Sequence, residues 1–308
     1  MKSTRPLRLA GVISISCLIF ALSSPYFMNW DNIRNVLDQS TLNIVVGLGM
    51  SLLIASGGID LSVGSAVALI GVMIAPALKA GLPTSTVCLA ALAAGTISGL
   101  WNAGIVVFLR INPFIATLTS MSLMSGLALI ITQGTPVYGF PPSFTFIGRG
   151  RIIGLPVSVI VCALLFLALW FSFSFTRFGI YTIGLGDNEE ALRRCGIRVK
   201  RWKTGLYCLC GCCAAIAAVL ITSRLNSAEP LAGAMMEMDA IATAVLGGTA
   251  IQGGKTSLTG TVLAGILLAL VKNGLTMLGV SSYYQGFSVG AIVLISVVLS
   301  ERSTRTKQ

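Results

Sequence analysis

The chain has 308 residues, of which 55% are apolar and 10% charged, and its mean hydropathy is +0.89. Those values lie outside the range of a soluble globular domain, and the apolar runs leave no room for one. The net charge of +11 is carried as short basic punctuation between apolar runs, without a basic face interleaved with aromatics, so no nucleic-acid partner is expected.

The expected fold is all-α, a polytopic membrane protein of about ten transmembrane helices, because about 20 mostly apolar residues cross a hydrocarbon core. Candidate spans are residues 6–22, 41–57, 61–78, 87–109, 113–132, 155–175, 205–223, 238–252, 257–273 and 283–300. They read as a single transmembrane domain over 1–308 with membrane lipid around it and residues 176–203 as a cytoplasmic loop within it. With the N-terminus inside, most of the 21 Lys and Arg residues fall on the cytoplasmic side, as the positive-inside rule requires. Both termini are then cytoplasmic. Lys2, Arg5 and Arg8 precede the first run in the manner of a signal peptide. No Ala-x-Ala-like site follows and further spans do, so a retained first helix is expected.

After the first span, Trp30, Ile33 and Leu37 share a helical face while Asp31, Arg34 and Asp38 are polar. This is either a short interfacial helix or an aromatic belt with a connecting turn. The next stretch, Ser56 to Ser65, joins two apolar runs through Gly57, Gly58, Asp60, Ser62 and Gly64. Backbone freed by the glycines is tolerated in a membrane only against protein or water. The stretch therefore reads as a hinge or the lining of a path, with Asp60 as a helix-start cap or gate residue.

In the fourth span Ala91, Gly95, Gly99 and Ala103 form a stripe of small residues suited to close helix packing. Asn102 beside it either lines a path or hydrogen-bonds a neighbouring helix. Asn112-Pro113 suits a helix start, and the Gly- and Pro-rich loop 133–154 is expected to form an outward surface. Between residues 176 and 203, Asp187 or Asn188 can cap a helix whose first turn is acidic and whose later turn is basic, with Gly196 ending it. Such an exposed helix has no use in the membrane and is expected to meet a cytoplasmic partner.

Further on, Gly247, Gly248 and Gly254 repeat the spacing of Gly57, Gly58 and Gly64, and paired glycine breaks point towards a substrate path. Cys208, Cys210, Cys212 and Cys213 lie inside one span, where free cysteine serves as a small apolar residue. Their spacing is not that of separated metal-binding pairs. The chain has no histidine and no Gly-x4-Gly-Lys phosphate loop, so no catalytic site, metal or cofactor is expected.

Taken together, several stretches resemble the ribose-type sugar permeases of bacterial ABC importers, in the right order over nearly the whole chain. They are Ser56 to Ser65, Asn112 to Leu118, Gly186 to Gly196, Met238 to Ala242 with Val245 to Thr249, and Asn273-Gly274 with Leu278 to Gln285. The resemblance implies an ABC importer permease fold in the bacterial inner membrane, moving a ribose-like pentose, a hexose or a related furanose. It also implies a second permease copy, identical or paralogous, a cytoplasmic ABC ATPase subunit and a periplasmic sugar-binding protein. The cytoplasmic segment would couple to the ATPase through Asn188, Glu190, Ala191, Leu192 and Gly196. There Glu190-Ala191-Leu192-x3-Gly196 follows the Glu-Ala-Ala-x3-Gly pattern, with Leu192 in place of the second alanine and no Ile-x-Leu-Pro after it. Gly57, Gly58, Asp60, Ser62, Gly64, Asn102, Gly247 and Gly248 would form the hinge or path. Arg34, Arg149, Arg151 and Arg224 would dock the binding protein. The alternative is an ion-coupled secondary sugar transporter, for which Asp60 is the fair candidate as coupling carboxylate.

Overall fold

The computed structural model describes residues 5–281 together with residues 284, 286, 287, 290 and 291. Its helices are α1 (Arg5–Ser23), α2 (Trp30–Ala55), α3 (Val63–Lys79), α4 (Thr84–Ala103), α5 (Pro113–Thr132), α6 (Pro142–Arg149), α7 (Val157–Phe175), α8 (Arg177–Arg194), α9 (Val199–Leu225), α10 (Met236–Leu246) and α11 (Leu258–Met277). A π-helical turn, Gly104–Phe108, prolongs α4. Four two-residue strands complete the inventory: β1 (Val137–Tyr138), β2 (Arg151–Ile152), β3 (Leu155–Pro156) and β4 (Ser227–Ala228). β1 pairs antiparallel with β4, and β2 with β3.

Six helices among the described residues are long and apolar enough to cross a membrane: Trp30–Ala55, Thr84–Phe108, Pro113–Thr132, Val157–Phe175, Val199–Leu225 and Leu258–Met277. Leu9–Ser23 and Val63–Lys79 are apolar but shorter. The count of about ten is therefore not reached among the described residues, and the expected span at 283–300 lies largely outside them. The run at 238–252 yields only the 11 residues of α10. At 1.5 Å per residue this is about 16 Å, roughly half the hydrocarbon thickness. Its helix stops at Gly247 and Gly248, the latter at φ +106°.

α2 is the central element. Its apolar window is 78% buried, against 17% for α7, so α2 is sheathed by protein and α7 faces outward. A helix apolar on every side belongs in such a position. The segment around Trp30 to Asp38 is neither a separate interfacial helix nor a turn but the first turns of this 26-residue helix. Asn29 caps it, its side chain accepting from the Asp31 amide. No glycine or proline interrupts the sequence before Gly47, and Asp38 is neutralised by Arg224 at 3.1 Å, so the polar turns continue the helix. At about 39 Å the 26-residue helix is longer than the roughly 30 Å hydrocarbon core is thick.

The small-residue stripe on α4 packs against α9. A side chain on Gly95 would overlap the Gly211 carbonyl, and one on Gly99 the Tyr207 carbonyl, while Ala91 and Ala103 are fully buried. Backbones at that separation are held by van der Waals contact, the force available between helices in lipid. The α9 cysteines divide between neighbours: Cys213 packs on Gly49 of α2, and Cys212 Sγ lies 3.2 Å from Thr96 Oγ1 of α4.

Candidate functional site

Two glycine turns and the middle of α8 converge at one end of α2. Ser56 ends the helix and Gly57 follows at φ +82°. The Gly254 amide donates to the Ala55 carbonyl at 2.9 Å. Gly186 of α8 sits against both, since a side chain there would overlap the Ala55 carbonyl and come within 2.5 Å of the Gly254 nitrogen. Gly253, at φ +91°, faces Gly186 and the Gly57 amide. The break after α2, the turn after α10 and the middle of α8 thus touch backbone to backbone. Gly186, Gly253 and Gly254 carry these contacts; of these the glycine spacing in the sequence singled out Gly254, while Gly58, Gly247 and Gly248 take no part in them. The paired Gly-Gly spacing pointed to the two turns; nothing in it pointed to their meeting.

From this junction α8 changes direction. Asn188 takes extended dihedrals (φ −154°, ψ 91°) inside the helix, and its Oδ1 accepts from the Ala191 amide at 2.9 Å. Asn188 therefore caps a second short helix, satisfying one of its free amides. Gly196, at φ +79°, ends it: its amide donates to Arg193 O at 3.0 Å and Ile197 N to Leu192 O at 3.1 Å, a Schellman closure. Glu190 and Ala191 are exposed. Leu192, the departure from the permease pattern, turns inward over Gly184, so the larger side chain is absorbed by the protein itself.

The short helix is anchored to α9. Glu189 meets Lys203 at 2.5 Å and Arg193 at 3.3 Å, and the Lys203 hydrogen bond holds the Glu189 carboxyl below the usual carboxylate range. Tyr181 and Phe178 pack on Trp202, with ring centroids 5.0 and 6.1 Å apart. Glu190 pairs with Arg193 and Arg194 on the exposed face.

Past the α2 break, Asp60 is buried in a polar knot. Its carboxylate accepts from Ser62 N at 2.8 Å, Ser62 Oγ at 2.6 Å and Asn102 Nδ2 at 3.0 Å. Asn102 Nδ2 also donates to Ser62 Oγ at 2.8 Å, while its Oδ1 is buried without a partner. Asp60 is thus joined to α4 two residues before the π-helical turn begins. Ser62 spends its hydroxyl on Asp60 and makes no side-chain cap to α3. Gly58 lies under Leu53 and the Tyr207 hydroxyl, and Tyr207 donates to Ile59 O at 3.3 Å. Gly64 and Gly233 press backbone to backbone beside Glu237, and Gly247 does the same against Gly260.

At the opposite end of α2, Arg224 bridges Asp38 at 3.1 Å and Asn35 at 3.1 Å, and Arg149 Nε donates to Arg224 O at 2.7 Å. Arg34 stacks on Trp30, pairs with Asp31 at 3.4 Å and reaches the β2–β3 turn at Gly154. Arg151 is exposed on that hairpin. The four arginines gather at this end, though Arg34 and Arg224 already have carboxylate partners. Here too lies a second ion pair, Asp239 of α10 with Lys272 of α11, 2.5 Å apart.

A model of the branched-chain amino acid transport system / permease component family matches residues 32–297. The chain belongs to this permease family. The permease is 40% identical over 298 residues to the ribose import permease protein of Escherichia coli K12, covering 95% of this chain and 93% of that one. It is 38% identical over 292 residues to the ribose import permease protein of Bacillus subtilis, covering 94% and 91%. It is 35% identical over 290 residues to the D-allose transport system permease protein of Escherichia coli K12, covering 94% and 89%. No solved structure matches. The chain is thus a multi-pass membrane permease of the ABC import type and not an enzyme; ATP hydrolysis belongs to a separate subunit. Membership in this family displaces the ion-coupled alternative.

Proposed function

We propose that the permease carries a small sugar of the ribose or allose kind inward across the bacterial inner membrane. It would be powered by a cytoplasmic ABC ATPase and supplied by a periplasmic sugar-binding protein. The relatives support the sugar class. The observation that carries the mechanism is the capped helix from Asn188 to Gly196, directly preceded by Gly186 and Asp187, which abut the junction of Ala55, Gly57, Gly253 and Gly254. A push on Glu190 and Ala191 is passed by Asp187 and Gly186 to the ends of α2 and α10 together. Close-packed backbone has no slack to absorb the push, so these ends shift as a unit.

In this reading residues 1–308 form a single transmembrane domain with 176–203 as its coupling loop. The short apolar helices α1 and α3, the broken α10 and the run at 283–300 complete about ten passages. Both termini lie in the cytoplasm with the coupling loop, and a second permease copy completes the path. Gly57, Gly58, Asp60, Ser62, Gly64, Asn102, Gly247 and Gly248 form the hinge region. At the periplasmic end the docking role falls mainly to Arg149 and Arg151, because Asp31 and Asp38 occupy Arg34 and Arg224. The test is uptake of labelled D-ribose and D-allose by proteoliposomes holding the permease, ATPase and binding protein. Uptake that requires both partners and survives an ionophore is expected; uptake by the permease alone, collapsed by an ionophore, would overturn the reading.

A further inference from the structure

A cavity of about 230 Å³ opens among α2, α9, α10, α11 and the loop before α10. Its polar lining comes from Gln39, Asn43, Arg224, Asp239 and Lys272. Two features set it apart from a packing defect. Asn43 is 9% exposed and lines the cavity, and its side chain makes no hydrogen bond among the described residues; its amide is not sealed inside the protein and so stands open to the cavity. Asp239 and Lys272, 2.5 Å apart and partly shielded, place a carboxylate and an ammonium side by side on the same wall.

We propose that this cavity is a binding station for a neutral single-ring polyol, a sugar in transit, within the permease itself. The chemistry selects that class. Both charge pairs at the site, Asp239 with Lys272 and Asp38 with Arg224, are internally balanced, so a charged solute would leave a charge unpaired. A polyol instead offers each hydroxyl as donor and acceptor at once. The Asn43 amide and the Asp239 and Lys272 head groups answer it, while Leu42 and Met236 offer apolar surface to the ring's C–H face. The volume is below the roughly 300 Å³ at which drug-sized sites begin, which suits one ring and excludes a disaccharide. Arg224 belongs both to the cavity and to the arginine-bearing end, so the station lies on the entry side.

This inference rests on the importer reading, and the experiment separates the two. The permease–ATPase complex in lipid nanodiscs, without binding protein, is titrated with D-ribose and followed by saturation-transfer NMR; uptake is measured on the same preparation with binding protein added. Saturable D-ribose binding at millimolar sugar is expected. It should weaken about ten-fold in Asn43→Leu and in Ala234→Phe, a change at the exposed rim of the cavity, and L-leucine should not compete. Uptake without any saturable binding by the unaltered permease overturns the station and leaves the importer reading standing. Binding unaffected by either substitution, or displaced by L-leucine, overturns it as well. Binding lost in both variants but without uptake supports the station and counts against the importer reading.

Discussion

The amide of Gly254 donates to the carbonyl of Ala55 at 2.9 Å, and this bond ties the turn after α10 to the end of α2. Gly186 is wedged against the same two residues. Motion of the proposed coupling helix, Asn188 to Gly196, would therefore reach both glycine breaks through one backbone contact.

Gly186→Ala is expected to damage transport more than stability. The added methyl overlaps the Ala55 carbonyl, so the junction must open, at a cost of about 1–3 kcal/mol for overpacking. Sugar uptake per ATP hydrolysed should fall several-fold in proteoliposomes. Gly205→Ala serves as the comparison, because a methyl there meets nothing within 4 Å and helix propensity favours alanine by about 1 kcal/mol. Equal loss in both variants would remove the junction from the mechanism.

The coupling helix should depend on its two ends. Asn188→Ala removes the bond to the Ala191 amide and is expected to cost about 1 kcal/mol, whereas Asn188→Asp keeps an acceptor in place. Gly196→Ala puts a side chain at φ +79°, costing about 1–2 kcal/mol with no clash involved. Binding-protein-stimulated hydrolysis should lose its link to uptake in Asn188→Ala and Gly196→Ala and keep it in Asn188→Asp. Vesicle uptake and hydrolysis measured side by side check this.

Asp60 is expected to act through hydrogen bonds. Asp60→Asn can still accept from Ser62 N, and its new amide can donate to Asn102 Oδ1, the atom now without a partner, once the Asn102 amide turns over. Uptake within about two-fold of the unaltered permease should follow, since the knot keeps its hydrogen bonds and still leaves one Asn102 atom unpaired, now Nδ2 in place of Oδ1. Asp60→Ala strands the Asn102 and Ser62 donors at about 1–3 kcal/mol each, and should lower both yield and thermal stability in detergent. An Asp60→Asn variant that folds but fails to transport would show that the charge itself is used.

Much of this was legible in the sequence because it is local. The α4 stripe, the Asn188 cap and the Gly196 stop each depend on residues within one or two turns, and each has the geometry its residue types suggest. Around Trp30 the reading failed because Asp31, Arg34 and Asp38 look like the end of a membrane segment. Asp38 is neutralised by Arg224, far away in the sequence, and Asp31 and Arg34 pair with each other, so the helix runs on. The run at 238–252 holds a helix of only 11 residues because Gly247 and Gly248 stop α10, which hydropathy does not register. The junction at Gly186 and the Asp239–Lys272 pair arise only from how helices meet, which no periodicity encodes.

The contact between the coupling helix and α9 should also respond to acid. Lys203 holds the Glu189 carboxyl below its ordinary value, so the folded state favours the ionised form. A depressed carboxylate contributes stability that is fully present above the unfolded value of about 4.3 and is lost as pH falls through the lower folded value. Glu189 is partly exposed and its ion pairs are screened, so the effect is local loosening and not global unfolding. Hydrogen exchange across residues 187–203, corrected for intrinsic rates, should be faster in Glu189→Gln than in the unaltered permease at pH 7. The two should converge as pH falls through the lowered folded value and the carboxylate takes up its proton. A difference that persists unchanged in acid would mean that the Glu189 side chain holds this helix by packing and not by its charge.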